Sequence, residues 1–300
     1  MYMYDDDLYK ARYKAGLCQK SYVMAADYPL LVSCDWLKQQ QVAGVKNLVV
    51  IDASWSSTKN CQAEYEQAHI PGAVYINVMD GEHNDYFPRN IPNSDKFEEK
   101  LQQAGINHDS HVVIYSNSDN AGFFMSGRAW WTFKLYGVDK VSILDGGLEQ
   151  WKKNGYELKS DIPTPKRGNM KVKRHDNHYR TFEDVQQNLK SNNFQVCDTR
   201  PATKFSGPES DGHIPGAKNL PMAKLVDMEK GTLLPVSQLK KLFLEAGLDL
   251  TKPMVVHCMM GMSSCTVAFA AILCGSKDVS VYHGGATEWG KKASPDQIQK

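Results

Sequence analysis

The feature that most constrains this chain is that its second half repeats its first. The stretch "HIPGAVYINV" beginning at His69 returns as "HIPGAKNLPM" at His213, and "DKVSILDGGLEQW" from Asp139 returns as "KDVSVYHGGATEW" from Lys277. Corresponding points lie about 140 residues apart, which is too long a period for a solenoid and fits a duplicated domain. The chain of 300 residues has room for two such domains.

Both copies have the same order of predicted elements, namely strand, His-Ile-Pro-Gly-Ala, helix, strand, loop, long apolar helix, strand and helix. The predicted strands are 47–51, 112–115 and 141–144 in the first copy and 194–197, 254–257 and 279–282 in the second. Glycine caps at Gly105 and Gly247 end the first predicted helix of each copy. Strands that alternate with helices predict an α/β fold in which each domain is a mostly parallel sheet flanked by helices.

We predict one domain at 28–157 and a second at 179–300. The segment between them, 158–178, is rich in proline and charge and is predicted to be a linker.

Composition and charge exclude several classes of function. The formal net charge is +1 and no basic stripe is present, so the chain is not expected to bind nucleic acid. No apolar run approaches the roughly 20 residues that a membrane-spanning helix needs, so no membrane partner is expected. Three consecutive aspartates at positions 5–7 argue against a secretory signal and against a transit peptide. The expected location is the cytoplasm, with the mitochondrion as the alternative.

The cysteines indicate a reducing compartment. There are seven of them, widely scattered, with no Cys-x-x-Cys pair. A disulfide framework is not expected in a chain of this length, and no zinc-ligand spacing is present. The sequence therefore predicts free thiols, no metal site and no cofactor.

Cys258 lies where a predicted strand gives way to a short loop and an apolar helix, in "PMVVHCMMGMSSCTVAFAAIL". Ligands of parallel sheets bind outside the carboxyl ends of the strands, which is where Cys258 falls. Five residues, 259–263, are predicted to separate it from the helix, with Ser263 and Ser264 as capping candidates.

A loop that curls into a helix N-terminus points successive N–H groups inward, and Gly261 permits the backbone conformation this needs. Those amides and the helix dipole favour a thiolate over a thiol and would make Cys258 nucleophilic. The alternative reading, a small buried and inert thiol, remains open at this point.

The first copy has no thiol at the corresponding place. Its loop, within "YSNSDNAGFFMSGRAWW", lacks cysteine and is about four residues longer by alignment of the flanking strands. We expect one active site per chain, between the domains, with the first domain retained for structure.

These residues resemble the two-domain rhodanese-type sulfurtransferases, a family that includes thiosulfate sulfurtransferase and 3-mercaptopyruvate sulfurtransferase. The resemblance covers the chain from about Tyr28 onward. It rests on "LVSCDWL", "DASW", "HIPGA" in both copies, "GRAWWTFKLYGVDKVSILDGGLEQW" and the strand, cysteine, loop and helix around Cys258. It implies two tandem rhodanese-like domains, of which the second is catalytic, and the first half is more similar to the mercaptopyruvate branch.

The resemblance implies sulfur transfer in two half-reactions, without a cofactor. A cysteine thiolate takes the outer sulfur of a small donor, becomes a persulfide, and passes that sulfur to a thiol, thioredoxin or cyanide. By position, Cys258 is the nucleophile. Stabilisation of the negative sulfur falls to the backbone N–H groups of Met259, Met260, Gly261, Met262, Ser263 and Ser264.

The active loop departs from the family pattern. Mercaptopyruvate enzymes usually carry Gly-Ser-Gly-Val-Thr after the cysteine, and thiosulfate enzymes Arg-Lys-Gly-Val-Thr, whereas this chain has "MMGMS". Gly261 and Ser263 keep the glycine and a hydroxyl, but Met260 replaces the serine or lysine. The cationic loop that suits dianionic thiosulfate is absent, so 3-mercaptopyruvate is predicted to be the better donor.

The substrate-binding segment "DTRPATKFSGPESDGHIPGA" also departs from the pattern. Mercaptopyruvate enzymes place two arginines here to bind the substrate carboxylate. The first aligns with Lys204, and the second has no clear counterpart. Lysine can pair with a carboxylate without the bidentate fork of arginine, so Lys204 is predicted to bind the donor more weakly. Arg200 is predicted to form an ion pair with Asp198 or to bind a loop.

Other residues keep two interpretations. His69 and His213 are repeated in both halves, which favours a role in bonding loop backbone, but His69 keeps a possible functional role because the first domain faces the active loop in this family. Arg128, in "SGRAWW", matches a family arginine and is either structural or a source of positive potential near the cleft. Trp130 and Trp131 are predicted to lie in the core or at the domain interface.

Two rival functions were weighed. A cysteine phosphatase uses a similar loop but needs Cys-x5-Arg, and Ser264 stands where that arginine belongs. The other rival is a catalytically weak relative that acts as a sulfur-carrier or protein-binding module, which the altered loop and the missing arginine would allow.

Overall fold

A computed structural model of the chain describes residues 24–25, 28–117 and 123–300. The N-terminal aspartates, Cys18 and residues 118–122 of the first-copy loop lie outside the described residues.

The first half forms one five-stranded sheet with helices on both faces. Its strands are β1 (Met24–Ala25), β2 (Tyr28–Pro29), β3 (Leu31–Val32), β4 (Leu48–Asp52), β5 (Val74–Tyr75), β6 (His111–Tyr115) and β7 (Val141–Leu144). Its helices are α1 (Cys34–Val42), α2 (Cys61–Gln67), α3 (Ser94–Gln103), α4 (Phe123–Leu135) and α5 (Gly147–Lys153). The sheet order is β3-β7-β6-β4-β5 with every pair parallel, and β1 and β2 form a separate antiparallel pair.

The second half repeats this topology. Its strands are β8 (Tyr179–Arg180), β9 (Gln195–Asp198), β10 (Lys218–Asn219), β11 (Val226–Asp227), β12 (Thr232–Leu233), β13 (Met254–His257) and β14 (Val279–Tyr282). Its helices are α6 (Phe182–Ser191), α7 (Ala202–Phe205), α8 (Val236–Glu245), α9 (Ser263–Leu273) and α10 (Gly285–Lys292). The order β10-β9-β13-β14-β8, again all parallel, matches the first sheet strand for strand.

The predicted α/β class, the predicted strands and the glycine caps are confirmed, with strand ends displaced by at most one residue. Gly105 and Gly247, with φ of +76° and +72°, follow the last turns of α3 and α8 and adopt the left-handed conformation that glycine permits. The sequence pattern succeeds here because the strands are short β-branched runs bounded by clear helix stops.

The two halves share one apolar core. Helices α4 and α9, which are buried along most of their length, pack against each other between the two sheets. Gly127 allows a close approach, since a Cβ added there would lie 2.3 Å from Thr266 Oγ1. The Thr266 hydroxyl donates to the Phe123 carbonyl over 2.9 Å, and the Trp130 ring meets Phe269 edge-on at 5.1 Å. The resulting apolar cluster draws on residues of both halves, and a smaller cluster covers the far face of each sheet.

The segment predicted to be a linker runs along the first domain. It contains an isolated bridge at Lys159, a 3-10 helix at Asp176–His178, and a buried methionine, Met170. The amide of Met170 donates to the Ile106 carbonyl over 3.1 Å. The boundaries at 158 and 178 stay a prediction. Across the described ranges, no helix combines the length and apolar character that a bilayer crossing requires.

Candidate active site

Cys258 is the first residue after β13 and opens a loop of four residues, 259–262, before α9 begins at Ser263. This is the carboxyl edge of the second sheet, beside the central strands. The cysteine is 4% exposed, so its sulfur has little contact with solvent. The half-buried side chains of Met259 and Met260 flank it in the loop.

Two donors contact the sulfur. The Met262 N–H donates to Cys258 Sγ over 3.1 Å, and the Ser264 hydroxyl does so over 3.6 Å. Hydrogen bonds to sulfur favour its anionic form, and the N-terminus of α9 adds the positive end of a helix dipole. No hydrogen bond joins the sulfur to the amides of residues 259–261, all of which are described.

The predicted capping roles of Ser263 and Ser264 are wrong. The N-cap is Met262, without a side-chain capping bond, because both hydroxyls have other partners. Ser264 turns its hydroxyl to Cys258 Sγ, and Ser263 shares a hydrogen bond of 3.1 Å with Thr199. The predicted loop of five residues is also one residue too long, since Ser263 already belongs to the helix.

The carbonyl groups of the loop are bound by α10. The N–H groups of Ala286 and Thr287 donate to the carbonyls of Cys258 and Met259 over 2.8 and 3.1 Å. Gly285 makes this approach possible, because a Cβ there would lie 2.3 Å from the Cys258 oxygen. The negative ends of these two peptides are thereby engaged by a neighbouring helix N-terminus.

Gly261 is required for the shape of the loop. Its φ is +68°, a conformation that side-chain-bearing residues rarely adopt, and a Cβ there would lie 2.1 Å from His283 Nδ1. The loop is therefore pressed against the ring of His283, which is buried at the end of β14.

Arg128 of α4 reaches the loop from the first domain. Its side chain is fully buried, and Nη1 donates to the Gly261 carbonyl over 2.8 Å. Burial lowers the pKa of Arg128, while the nearby thiols of Cys265 and Cys258 act in the opposite direction. The sequence left Arg128 as either structural or a source of positive potential near the cleft, and both interpretations are compatible with this contact.

Asp198 and Arg200 form the predicted ion pair at the end of β9. Arg200 Nε and Nη2 both donate to Asp198 Oδ2, over 2.9 and 2.6 Å, and both residues are buried. Burial alone would raise the pKa of the Asp198 carboxyl, but neighbouring His257 and Arg200 outweigh it and hold that pKa below its ordinary value. The corresponding Asp52 of the first domain has Ser54 in place of the arginine, and burial raises the pKa of its carboxyl.

Lys204 lies on α7, at the surface. Its Nζ pairs with Glu209 Oε2 over 3.0 Å, and the two side chains are 44% and 61% exposed. No hydrogen bond or ion pair connects Lys204 to residues 258–264. Its predicted role as the carboxylate-binding group is therefore still a prediction.

His69 and His213 both bond backbone carbonyls. His69 Nδ1 contacts the Tyr65 carbonyl at 2.7 Å and Nε2 contacts the Asp161 carbonyl at 3.2 Å, while His213 Nδ1 contacts the Phe205 carbonyl at 3.0 Å. These contacts agree with a role in the fold. Neither ring contacts the Cys258 loop through these bonds.

The residue that sequence reasoning missed is His283. Its ring is fully enclosed, accepts from Arg128 Nη1 at 2.9 Å and stacks on Phe87 at 5.6 Å. A signal was present in the repeat, because His283 stands where the first copy has Asp145. Asp145 also contacts the other half, since its Oδ1 accepts from the Leu233 N–H over 3.0 Å.

No group of three or more His, Cys, Asp or Glu side chains suited to a metal ion occurs within the ranges 24–25, 28–117 and 123–300. The six cysteines that the structure describes are all free of disulfides.

Comparison with known proteins identifies the fold family and its chemistry. Residues 33–154 and 181–292 each match the rhodanese-like domain. The chain is 36% identical over 275 residues to thiosulfate sulfurtransferase of Gallus gallus, covering 88% of this chain and 94% of that protein. It is 34% identical over 281 residues to 3-mercaptopyruvate sulfurtransferase of Homo sapiens, covering 89% and 94% respectively.

The fold is also similar to a solved structure. The crystal structure of SseA from Escherichia coli, presented as a 3-mercaptopyruvate sulfotransferase, matches with a TM-score of 0.76 and 30% identity, over 85% of this chain and 98% of that one. Both copies of the repeat thus carry the same domain, and relatives of both donor types match almost from end to end. The chain belongs to the rhodanese-like family and is an enzyme, a sulfurtransferase of the 3-mercaptopyruvate or thiosulfate type.

Proposed function

We propose that Cys258 carries the sulfur as a persulfide, and that 3-mercaptopyruvate serves as a better donor than thiosulfate. The observation that carries the proposal is the pair of donors on Cys258 Sγ, the Met262 amide and the Ser264 hydroxyl. These hydrogen bonds favour the thiolate that attacks the donor. The remaining amides of the loop are close enough in sequence to bind the outer sulfur of the persulfide.

The reaction has two steps. The Cys258 thiolate attacks the sulfur of 3-mercaptopyruvate, the carbon–sulfur bond breaks, and its electrons leave as the enolate of pyruvate, which takes up a proton. An acceptor thiolate then attacks the outer persulfide sulfur, the sulfur–sulfur bond breaks, and Cys258 returns as a thiolate. Thioredoxin or a small thiol can act as the acceptor, and cyanide would leave as thiocyanate.

The preference for 3-mercaptopyruvate is supported by the charges around the loop. Residues 259–264 carry no cationic side chain, Arg200 is paired with Asp198, and Arg128 binds the Gly261 carbonyl of the loop from a fully buried position. A dianion such as thiosulfate gains less from such a site than a donor with one carboxylate. The scattered cysteines, without a Cys-x-x-Cys pair, fit a reducing compartment, and we propose the cytoplasm, with the mitochondrion as the alternative.

Intact-mass measurement tests the central step. The reduced protein is incubated with 3-mercaptopyruvate or with thiosulfate, and its intact mass is then measured by mass spectrometry. We expect the wild type to gain one sulfur atom and Cys258→Ser to gain none. The matched control is Cys274→Ser, which changes another buried thiol near the far end of the same helix and should still gain sulfur.

Each contrary result has a defined meaning. Sulfur on the Cys258→Ser variant would assign the chemistry to another cysteine. A wild type that takes up sulfur from neither donor, yet binds a protein partner, would favour the alternative of a weak sulfur-carrier or protein-binding module.

We propose further that Lys204 binds the donor carboxylate. Its ion pair with Glu209 is exposed, and such pairs contribute only about 0–1 kcal/mol, so a substrate carboxylate can replace Glu209 at little cost. We expect Lys204→Ala to raise the KM for 3-mercaptopyruvate several-fold with little change in kcat. The control Glu209→Gln releases the lysine and should leave that KM unchanged or lower. An unaltered KM in Lys204→Ala removes Lys204 from the site.

A further inference from the structure

We propose that Arg128 is a positioning residue of the active site, through which the first domain orients the amide that contacts the Cys258 sulfur. This inference rests on the proposed role of Cys258 as the sulfur carrier. It adds that the domain without a thiol supplies a side chain on which the reactive loop of the other domain depends.

The argument begins with a single peptide group. The Gly261 carbonyl and the Met262 N–H belong to the same planar unit, in which the C=O and N–H bonds point in opposite directions. Arg128 Nη1 binds the oxygen over 2.8 Å, and the N–H on the other side donates to Cys258 Sγ over 3.1 Å. Fixing the oxygen therefore fixes the direction of the N–H. The cation also polarises the peptide, which strengthens the hydrogen bond to sulfur.

Arg128 is itself held in one orientation. Nη1 also contacts His283 Nδ1 at 2.9 Å, Nη2 donates to the Arg89 carbonyl over 3.1 Å, and the guanidinium lies 5.1 Å from the centre of the Trp131 ring. Burial, together with the charges of Arg128 and Arg174, lowers the pKa of His283 well below its ordinary value. The ring is therefore neutral and able to accept the bond from Arg128.

Among the residues that the structure describes, the charge of Arg128 has no carboxylate partner. The Gly261 carbonyl, the His283 ring and the Arg89 carbonyl, which accept its hydrogen bonds, are all neutral, and Nε has no partner in the described structure. The buried thiol of Cys265 lies beside the guanidinium as well. A buried cation without a counter-ion is costly. An anionic sulfur on Cys258 would supply the missing negative charge, so the arginine and the thiolate stabilise each other.

The test compares four variants of the full chain. Arg128→Met removes the charge and all three hydrogen bonds of the guanidinium, Arg128→Lys keeps the charge, and His283→Leu removes one neighbour of the guanidinium while leaving its bond to Gly261. Arg174→Met is the matched control, because Arg174 lies over the Tyr179 ring at 4.7 Å and bonds Asp176 rather than the loop. For each variant, we measure iodoacetamide alkylation of Cys258 at pH 7 by peptide mass, and kcat and KM with 3-mercaptopyruvate.

We expect Arg128→Met to slow alkylation about 10- to 100-fold, which is the range for losing a hydrogen bond to a charged group. The value of kcat should fall by a similar factor with little change in KM, because the Arg128 side chain is fully buried and binds loop backbone. Arg128→Lys should recover part of both rates, His283→Leu should lose less than Arg128→Met, and Arg174→Met should match the wild type. Recovery by lysine separates the proposed role from simple packing.

Arg128→Met that folds and then alkylates and turns over like the wild type would overturn the inference. If that variant fails to fold, Arg128→Lys decides, because lysine keeps the charge but lacks the guanidinium fork and is expected to lose part of both rates; wild-type rates in Arg128→Lys would then overturn the inference. If the wild type accepts no sulfur from any donor, the proposed function fails, but the alkylation rates still test whether Arg128 controls the reactivity of Cys258.

Discussion

Replacing Gly261 with alanine tests how tightly the reactive loop is packed. Two costs are expected. An L-residue forced into the left-handed conformation at φ of +68° costs about 1–2 kcal/mol. The new methyl group would lie 2.1 Å from His283 Nδ1 and 2.7 Å from the His283 carbonyl, and overpacking of this kind costs about 1–3 kcal/mol more. Together they predict a loss of about 2–5 kcal/mol in the free energy of unfolding.

A matched control separates the two costs. Gly216 has a φ of +75°, but a Cβ there would meet nothing within 4 Å. Gly216→Ala therefore has the backbone cost without the steric cost. Both variants lower the entropy of the unfolded chain equally, as any Gly→Ala change does, so this effect cancels between them. The difference between the two variants isolates the contact with His283.

The assay is thermal unfolding followed by circular dichroism, with Cys258 alkylation measured on the same samples. Because 1 kcal/mol corresponds to about 2–4 °C in domains of 150–250 residues, the overpacking cost of about 1–3 kcal/mol predicts that Gly261→Ala unfolds about 2–12 °C below Gly216→Ala. Its alkylation should also slow, since the peptide that contacts the sulfur moves with the loop. Equal unfolding temperatures for the two variants would refute the packing of Gly261 on His283.

Two further predictions concern the domain interface and pH. Gly127→Ala would bring a methyl group within 2.3 Å of Thr266 Oγ1 and should lower the free energy of unfolding, measured by urea titration, by about 1–3 kcal/mol. The control Gly290→Ala, at an open position in α10, should raise that free energy by about 0.5–1 kcal/mol. An unchanged free energy of unfolding in Gly127→Ala would contradict close packing of the two helices. Burial, followed by the charges of Lys134 and His175, lowers the pKa of His178 to about 4, so the unfolded chain binds a proton that the folded chain refuses between about pH 6.5 and 4. The stability that His178 contributes is present above pH 6.5 and is lost as the pH falls toward 4. His178→Gln should therefore lose less free energy of unfolding between pH 7 and pH 5 than the wild type. Equal losses in the two proteins would exclude His178 as a source of the pH dependence.

Contacts between residues that are close in sequence were predictable. The Asp198–Arg200 ion pair was predictable because the two residues lie two positions apart at a strand end. The position of Cys258 between a β-branched strand and an apolar helix was predictable as well. The N-cap of α9 was not predictable from the sequence. The Ser264 hydroxyl bonds the Cys258 sulfur instead of a backbone N–H, and the position of that sulfur depends on the conformation of the loop. Local preferences for capping residues are weak enough for such a contact to override them.

Contacts between the domains could not be read from the pattern. Arg128 and Gly261 are 133 positions apart, and nothing in their neighbourhoods specifies that one binds the other. His283 differs from its counterpart in the repeat, which marks it as unusual, but a difference between copies does not say what the residue contacts. For Lys204 the prediction rested on the resemblance to the family alone, because local sequence does not specify an exposed pair such as the one with Glu209.

The apolar core that both halves share has a consequence for how this duplicated chain can exist. The two domains are not independent, because separating them would expose the long apolar faces of α4 and α9 to water. Exposed apolar surfaces of that kind promote aggregation. A fragment carrying only the reactive cysteine should therefore precipitate or bind chaperones instead of working alone, and heat should melt the intact molecule in one transition. The copy without a cysteine in its loop is therefore half of a single folding unit.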